Sequence, residues 1–223
     1  MLTLFAGTAA GVLHVLTGPD HLATVGTLAV EERWRTWATG LVWGVGHTSG
    51  VWIVGVLVLV LRALLPLEQM ASWSDRLASV GLIAIGLWGL YRGLARQIHT
   101  HEHEHEGKVH HHHHAHALSR AGHSHSHTHV HTHLACGLGI LHGLAGSSHF
   151  LGVLPALALP TSTHALIYLG GFGLGTVGAM AGFGWLMGRV AQRAVGFGPA
   201  VHRALVMGCG AAAIAIGCVW LTA

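Results

Sequence analysis

Residues 11–25 read GVLHVLTGPDHLATV, and residues 139–153 read GILHGLAGSSHFLGV. Aligned without gaps they share Gly11/Gly139, Leu13/Leu141, His14/His142, Leu16/Leu144, Gly18/Gly146, His21/His149 and Val25/Val153, seven identities in fifteen. Shared apolar composition gives no reason to repeat two histidines. A weaker echo follows, Gly44-Val-Gly46 after the first copy and Gly173-Leu-Gly175 after the second. Repeated polar residues inside apolar stretches point to a transporter built from two related halves, with discontinuous helices meeting near the midplane.

The composition agrees with a bilayer. Of 223 residues, 52% are hydrophobic and 9% charged, with a mean hydropathy of +0.56. A soluble domain carries about 25% charged residues. Glycine is abundant at 33 residues, as expected where transmembrane helices pack closely. The formal charge of +3 comes from Lys and Arg scattered at segment ends, not from a basic stripe, so nucleic acid is excluded as a partner. Cys136, Cys209 and Cys218 lie in or beside apolar stretches without disulfide spacing and read as small buried hydrophobes. The only lysine is Lys108, so no P-loop is present and the chain does not itself hydrolyse ATP. No cleavable signal peptide is expected, because the N-terminus lacks a basic region ahead of its apolar stretch.

A span needs roughly 20 apolar residues. Six segments qualify, at about 2–30, 36–61, 77–97, 134–159, 164–188 and 204–222. The expected fold is an all-α integral membrane protein. Its six transmembrane helices form two inverted three-helix repeats, residues 1–97 and 134–223, with the first and fourth helices broken. Trp34, Trp37 and Trp73 fall at segment ends, where their rings suit the headgroup zone. Nine basic residues (Arg33, Arg35, Arg92, Arg96, Lys108, Arg120, Arg189, Arg193 and Arg203) lie on one side, and Arg62 and Arg76 on the other. The positive-inside rule then puts both termini outside and the central loop in the cytoplasm.

That loop, 98–133, holds sixteen of the 23 histidines: His99, His101, His103, His105, His110, His111, His112, His113, His114, His116, His123, His125, His127, His129, His131 and His133. It is expected to be a disordered, multivalent metal-binding tether, with a cytoplasmic metallochaperone as a partner. His101-Glu-His-Glu-His105 matches the zinc-protease pattern HExxH, but a stretch polar on every face cannot present two ligands from a stable helix. No enzymatic activity and no prosthetic group are expected.

The site is expected at the first break. On an unbroken helix His14 and His21 would share nearly one face. Pro19 lacks an N–H and its ring would clash with the Val15 carbonyl, while Gly18 lets the backbone open. Asp20 is the only acidic residue in any of the six segments, and a carboxylate in hydrocarbon is costly unless paired or bound to a cation. His47, in the middle of segment two, lies at a similar depth, with Thr48 and Ser49 beside it to orient an imidazole. His14, Asp20, His21 and His47 form the expected metal site. His142, Ser148 and His149 form a weaker site or part of the pathway, because Ser148 stands where the first copy has Asp20. His164 and His202 are expected at the interface. Imidazole with carboxylate suits zinc, copper, iron, nickel and cobalt, so residue types alone leave the metal open.

The motifs resemble the nickel/cobalt transporter superfamily: His14 followed by Pro19-Asp20-His21-Leu22, then Gly46-His47-Thr48-Ser49, and Leu141-His142-Gly143-Leu144-Ala145-Gly146-Ser147. The resemblance covers all but the central loop and last span. It implies that His14, Asp20, His21 and His47 bind Ni2+ or Co2+ as the transported substrate, in a multi-pass protein of the cytoplasmic membrane. One departure stands out: five residues, Val15 to Pro19, separate the first histidine from the aspartate, where the permeases usually have four. The His-rich loop is similar to the efflux branch and Pro-Asp-His-Leu to the uptake branches. A zinc transporter, a haem-binding membrane cytochrome and a histidine-box membrane enzyme are the weighed alternatives. The first lacks paired His–Asp motifs on neighbouring spans, and the last lacks clustered HxxxH or HxxHH patterns. The Asp20 carboxylate argues against haem.

Overall fold

A computed structural model describes residues 1–31, 36–61, 67–95, 97–105, 108–116, 128–144 and 148–222. The first apolar segment forms two helices, α1 (Leu2–Thr17) and α2 (Pro19–Glu31), meeting at Gly18 with a bend of 73°. Next come α3 (Thr36–Leu61) and α4 (Leu67–Ala95). The fourth segment is also two helices, α5 (Thr128–Leu144) and α6 (Ser148–Leu157), followed by α7 (Ser162–Phe197) and α8 (Pro199–Thr222).

Among the described residues, four helices are long and apolar enough to cross a membrane, and the bent pair α1–α2 raises the number to five. Six were expected. The fourth segment divides into helices too short to count singly: the apolar part of α5 is Ala135–Leu144, and α6 has 10 residues. At 1.5 Å per residue, each covers about half of a ~30 Å hydrocarbon core. The later boundaries also move. α7 runs nine residues beyond position 188, so Arg189 and Arg193 ride on a helix and not in a loop; Arg189 lies over the Trp185 ring at 5.3 Å. Gly198, at φ 123°, is the turn into α8. Trp37 and Trp73 are exposed near helix starts, as an interfacial role requires, whereas Trp34 lies outside the described residues.

Between α4 and α5 part of the described chain is extended. Strands β1 (Gln97–His105) and β2 (Lys108–His116) pair antiparallel, with His99 opposite His114, His101 opposite His112 and His103 opposite His110. His105 faces Lys108 in register, while His111, His113 and His116 stand opposite Glu102, Thr100 and Gln97. Alternation is the period of a strand, and this tract has no 3.6-residue apolar repeat for a helix to bury. α5 begins at Thr128, so His129, His131 and His133 sit on a helix; His123, His125 and His127 lie outside the described residues.

Helix packing depends on small residues, because lipid tails offer no hydrophobic drive and close backbone contact must supply the attraction. α1 lies on α7, where a Cβ at Gly7 or Gly11 would strike the carbonyls of Tyr168 or Phe172. α5 lies on α3, where a Cβ at Gly139 or Gly143 would strike the carbonyls of Trp43 or His47. α3 and α7 also pack together, and α4 pairs with α8 through Gly86 and Gly210. One buried apolar cluster of Val15, Val25, Leu28, Trp43, Ala135 and Met180 draws on α1, α2, α3, α5 and α7. Cys136, Cys209 and Cys218 are free thiols, and Cys209 packs against the cluster of Val30, Ala191 and Val206.

Candidate metal centre

The break in the first segment is built from its own residues. α1 stops where Pro19 can offer no N–H, and the Gly18 N–H closes back on the His14 carbonyl at 3.0 Å. Gly18 has φ −87° and ψ 99°, a conformation open to any residue. Its glycine is needed for another reason: a Cβ there would run into the His21 ring and the Asp20 carboxylate. Pro19 opens α2 at the position where its fixed φ is already helical. Asp20 therefore sits in the first turn, at the end of the helix dipole that favours an anion.

Five polar side chains converge on this break. Asp20, His21 and His47 are fully buried, His142 is nearly so and His14 partly so. His142 Nε2 lies 2.6 Å from Asp20 Oδ2, a contact across 122 residues of sequence, and His21 Nδ1 lies 3.0 Å from Asp20 Oδ1. On the other edge of the same ring, His21 Nε2 is 3.3 Å from His47 Nε2. An ion held about 2.0–2.1 Å from each of two nitrogens would leave those nitrogens roughly 3–3.4 Å apart, so the His21–His47 pair has a ligating separation. His14 closes the group, with ring centroids 4.6 Å from His21 and 5.7 Å from His47.

Two sets have ligand atoms all within 4.8 Å of one another: His14 with His21 and His47, and Asp20 with His21 and His142. One carboxylate among imidazoles is a donor set for a borderline first-row ion, not for magnesium or calcium.

The four residues expected from sequence thus come together, and His142 joins them. His142 was expected in a weaker site or as part of the pathway, and its Nε2 lies on Asp20 itself. Thr48 is buried beside them on α3, while Ser49 donates its hydroxyl to the Val45 carbonyl of its own helix at 2.8 Å. Ser148 and His149 lie in α6, but their side chains fall outside the described residues. His164 is exposed at the start of α7, capped by Thr161, and His202 lies one turn into α8.

Two residues went unremarked in the sequence. Trp43 stacks on His47 with centroids 5.1 Å apart and planes 6° apart, and reaches His142 at 5.4 Å. Phe172 packs on His14 at 5.4 Å. Both are fully buried. Each stands immediately before one of the echoed glycines, Gly44 and Gly173.

Over residues 6–219 the chain matches the family model described as the cytochrome c biogenesis protein transmembrane region. It is 29% identical over 193 residues to the chloroplast proteins FOR GROWTH AND FERTILITY 1 and 2 of Arabidopsis thaliana, covering 86% of this chain and 51% and 48% of theirs. The chain therefore spans about half the length of these two relatives. It is 30% identical over 190 residues to the urease accessory protein UreH of Bacillus sp. (strain TB-90), covering 84% of this chain and 76% of that protein. No solved structure matches it.

Proposed function

The chain belongs to the family of the cytochrome c biogenesis protein transmembrane region, and we propose that this member is a secondary transporter moving Ni2+ or Co2+ through the His/Asp cluster at the α1–α2 break. The observation that carries the reading is the burial of Asp20, His21 and His47 around one point, with His142 on the carboxylate. Buried ionisable side chains in a span are costly and mark ion pathways. The family description concerns cytochrome c biogenesis, but the chemistry gathered at the break is imidazole and carboxylate. Likeness to a urease accessory protein favours nickel within the ions such donors accept.

The matched glycine contacts of α1 on α7 and of α5 on α3 support two inverted halves, each with a broken helix. On that plan α5–α6 crosses as one unit, the protein has six spans in the cytoplasmic membrane, and the termini lie outside with the His-rich segment in the cytoplasm. Cysteine substituted at Ser119 then labels from the cytoplasmic side, and labelling from outside reverses the topology. Uptake is the direction we assign. A dication entering a negative interior gains about 4.6 kcal/mol per 100 mV, twice the ~2.3 per charge, so no coupled ion is needed. A second reading, proton-coupled efflux, is favoured by the His-rich segment between the halves. Purified protein in vesicles with an inside-negative potential should accumulate nickel or cobalt and leave zinc outside. Accumulation only against a proton gradient would reverse the direction, and preference for zinc would replace the substrate.

A further inference from the structure

We propose that the ion is handed between two overlapping ligand sets, the first of His14, His21 and His47 and the second of Asp20, His21 and His142, with His21 common to both. This rests on the reading that the cluster carries a divalent ion, and it makes His142 a ligand supplied by the second half of the chain.

The geometry of His21 carries the inference. One edge of its ring presents Nε2 to His47 at 3.3 Å, and the other presents Nδ1 to Asp20 at 3.0 Å. A single imidazole therefore serves two places. The sets also come from different helices. The first uses α1, α2 and α3; the second uses α2 and α5. Phe172 packs on His14 at 5.4 Å, and Trp43 lies against both sets, stacked on His47 at 5.1 Å and tilted on His142 at 5.4 Å.

The two sets differ in chemistry as well. Three neutral imidazoles leave a dication's charge uncompensated, whereas the second set supplies the carboxylate. The two sets share one imidazole, whose neutral form has a single lone-pair nitrogen to give, so one ion at a time takes His21. One ion alternates between them: His21 binds it through Nε2 in the first set, with its proton on Nδ1 toward Asp20, and through Nδ1 in the second. The transfer therefore moves that proton from Nδ1 to Nε2 as the ion moves the opposite way.

Purified full-length protein titrated with Co2+ reads the two environments separately, because the visible d–d spectrum depends on the donor set. Wild-type protein should bind one Co2+ per chain. His142→Asn and His47→Asn, each monodisperse on gel filtration, should still bind Co2+ but give two different spectra. Each should lower vesicle flux at least tenfold. His21→Asn should weaken binding ~100-fold, the upper end for disturbing a ligand shell. His142→Gln, closer in reach to histidine, guards against a local packing defect and should behave as His142→Asn.

Identical spectra and unchanged flux in His142→Asn would remove His142 from the path. Loss of all binding in both His142→Asn and His47→Asn would show one indivisible site. Two ions per wild-type chain would show two static sites. A wild-type protein that neither binds nor carries Co2+ or Ni2+ would overturn the transporter reading, and that result is visible before any variant is made.

Discussion

The two broken segments share seven residues in fifteen and differ where the first carries its acid. At the α1–α2 break, residues on both sides of the bend enter the cluster: His14 before it, Asp20 and His21 after it. From the α5–α6 segment, the residue shown to enter is His142, before the break. In the repeat, Ser148 stands where the first half has Asp20. A buried carboxylate must find partners, and Asp20 takes one histidine from each half.

That contrast can be broken most severely at Asp20 and His21. Asp20→Asn and His21→Ala should reduce nickel or cobalt flux at least ~100-fold with the protein still inserted, following the cost of disturbing ligands and their partners. Ser148→Ala, the matching change in the other half, should leave flux within about threefold. Equal losses at Asp20 and Ser148, measured in vesicles at matched protein density, would make the halves equivalent after all.

A smaller effect is expected at Gly18. Its backbone suits any residue, yet a Cβ would meet the His21 ring and Asp20 carboxylate. Gly18→Ala should therefore lower Ni2+ affinity about tenfold, in line with a displaced ligand shell, while thermal stability changes little. Unchanged affinity by equilibrium binding would mean the side chains do not pack against the bend.

Packing substitutions test the frame itself. Gly11→Val on α1 and Gly143→Val on α5 press on the Phe172 and His47 carbonyls of the neighbouring helices. Each should cost about 1–3 kcal/mol, the usual penalty of overpacking, and lower the melting temperature in detergent. Similar losses support matched interfaces, and a harmless Gly143→Val would break the match. The mildest change is removal of residues 99–127, which ends before α5 begins at Thr128. Flux should persist with a weaker response at low metal concentration, and complete loss in a folded deletion would put the His-rich segment in the path.

The first break was legible because Gly18-Pro19-Asp20 interrupts an apolar run with a helix breaker and a charge together. The position of His142 was not. An alignment identifies it as the partner of His14, but only packing of α5 on α3 brings it to Asp20. Trp43 and Phe172 carry no polar signal in an apolar stretch, so their contacts with the histidines emerged only with the fold. Helix ends moved for a different reason. Arg189 and Arg193 look like loop residues by charge, yet an exposed helix turn holds them equally well. Alternating histidines at 99–105 look like low complexity, but they also match a strand's period, and that stretch pairs with Lys108–His116.

The most direct test of the central claim is radioactive nickel uptake into vesicles holding wild-type protein or His21→Ala at equal density, with an inside-negative potential imposed. The account predicts saturable uptake by the wild type and uptake indistinguishable from empty vesicles for His21→Ala. Equal uptake by both proteins would contradict it, because the residue shared by both ligand sets would then be dispensable.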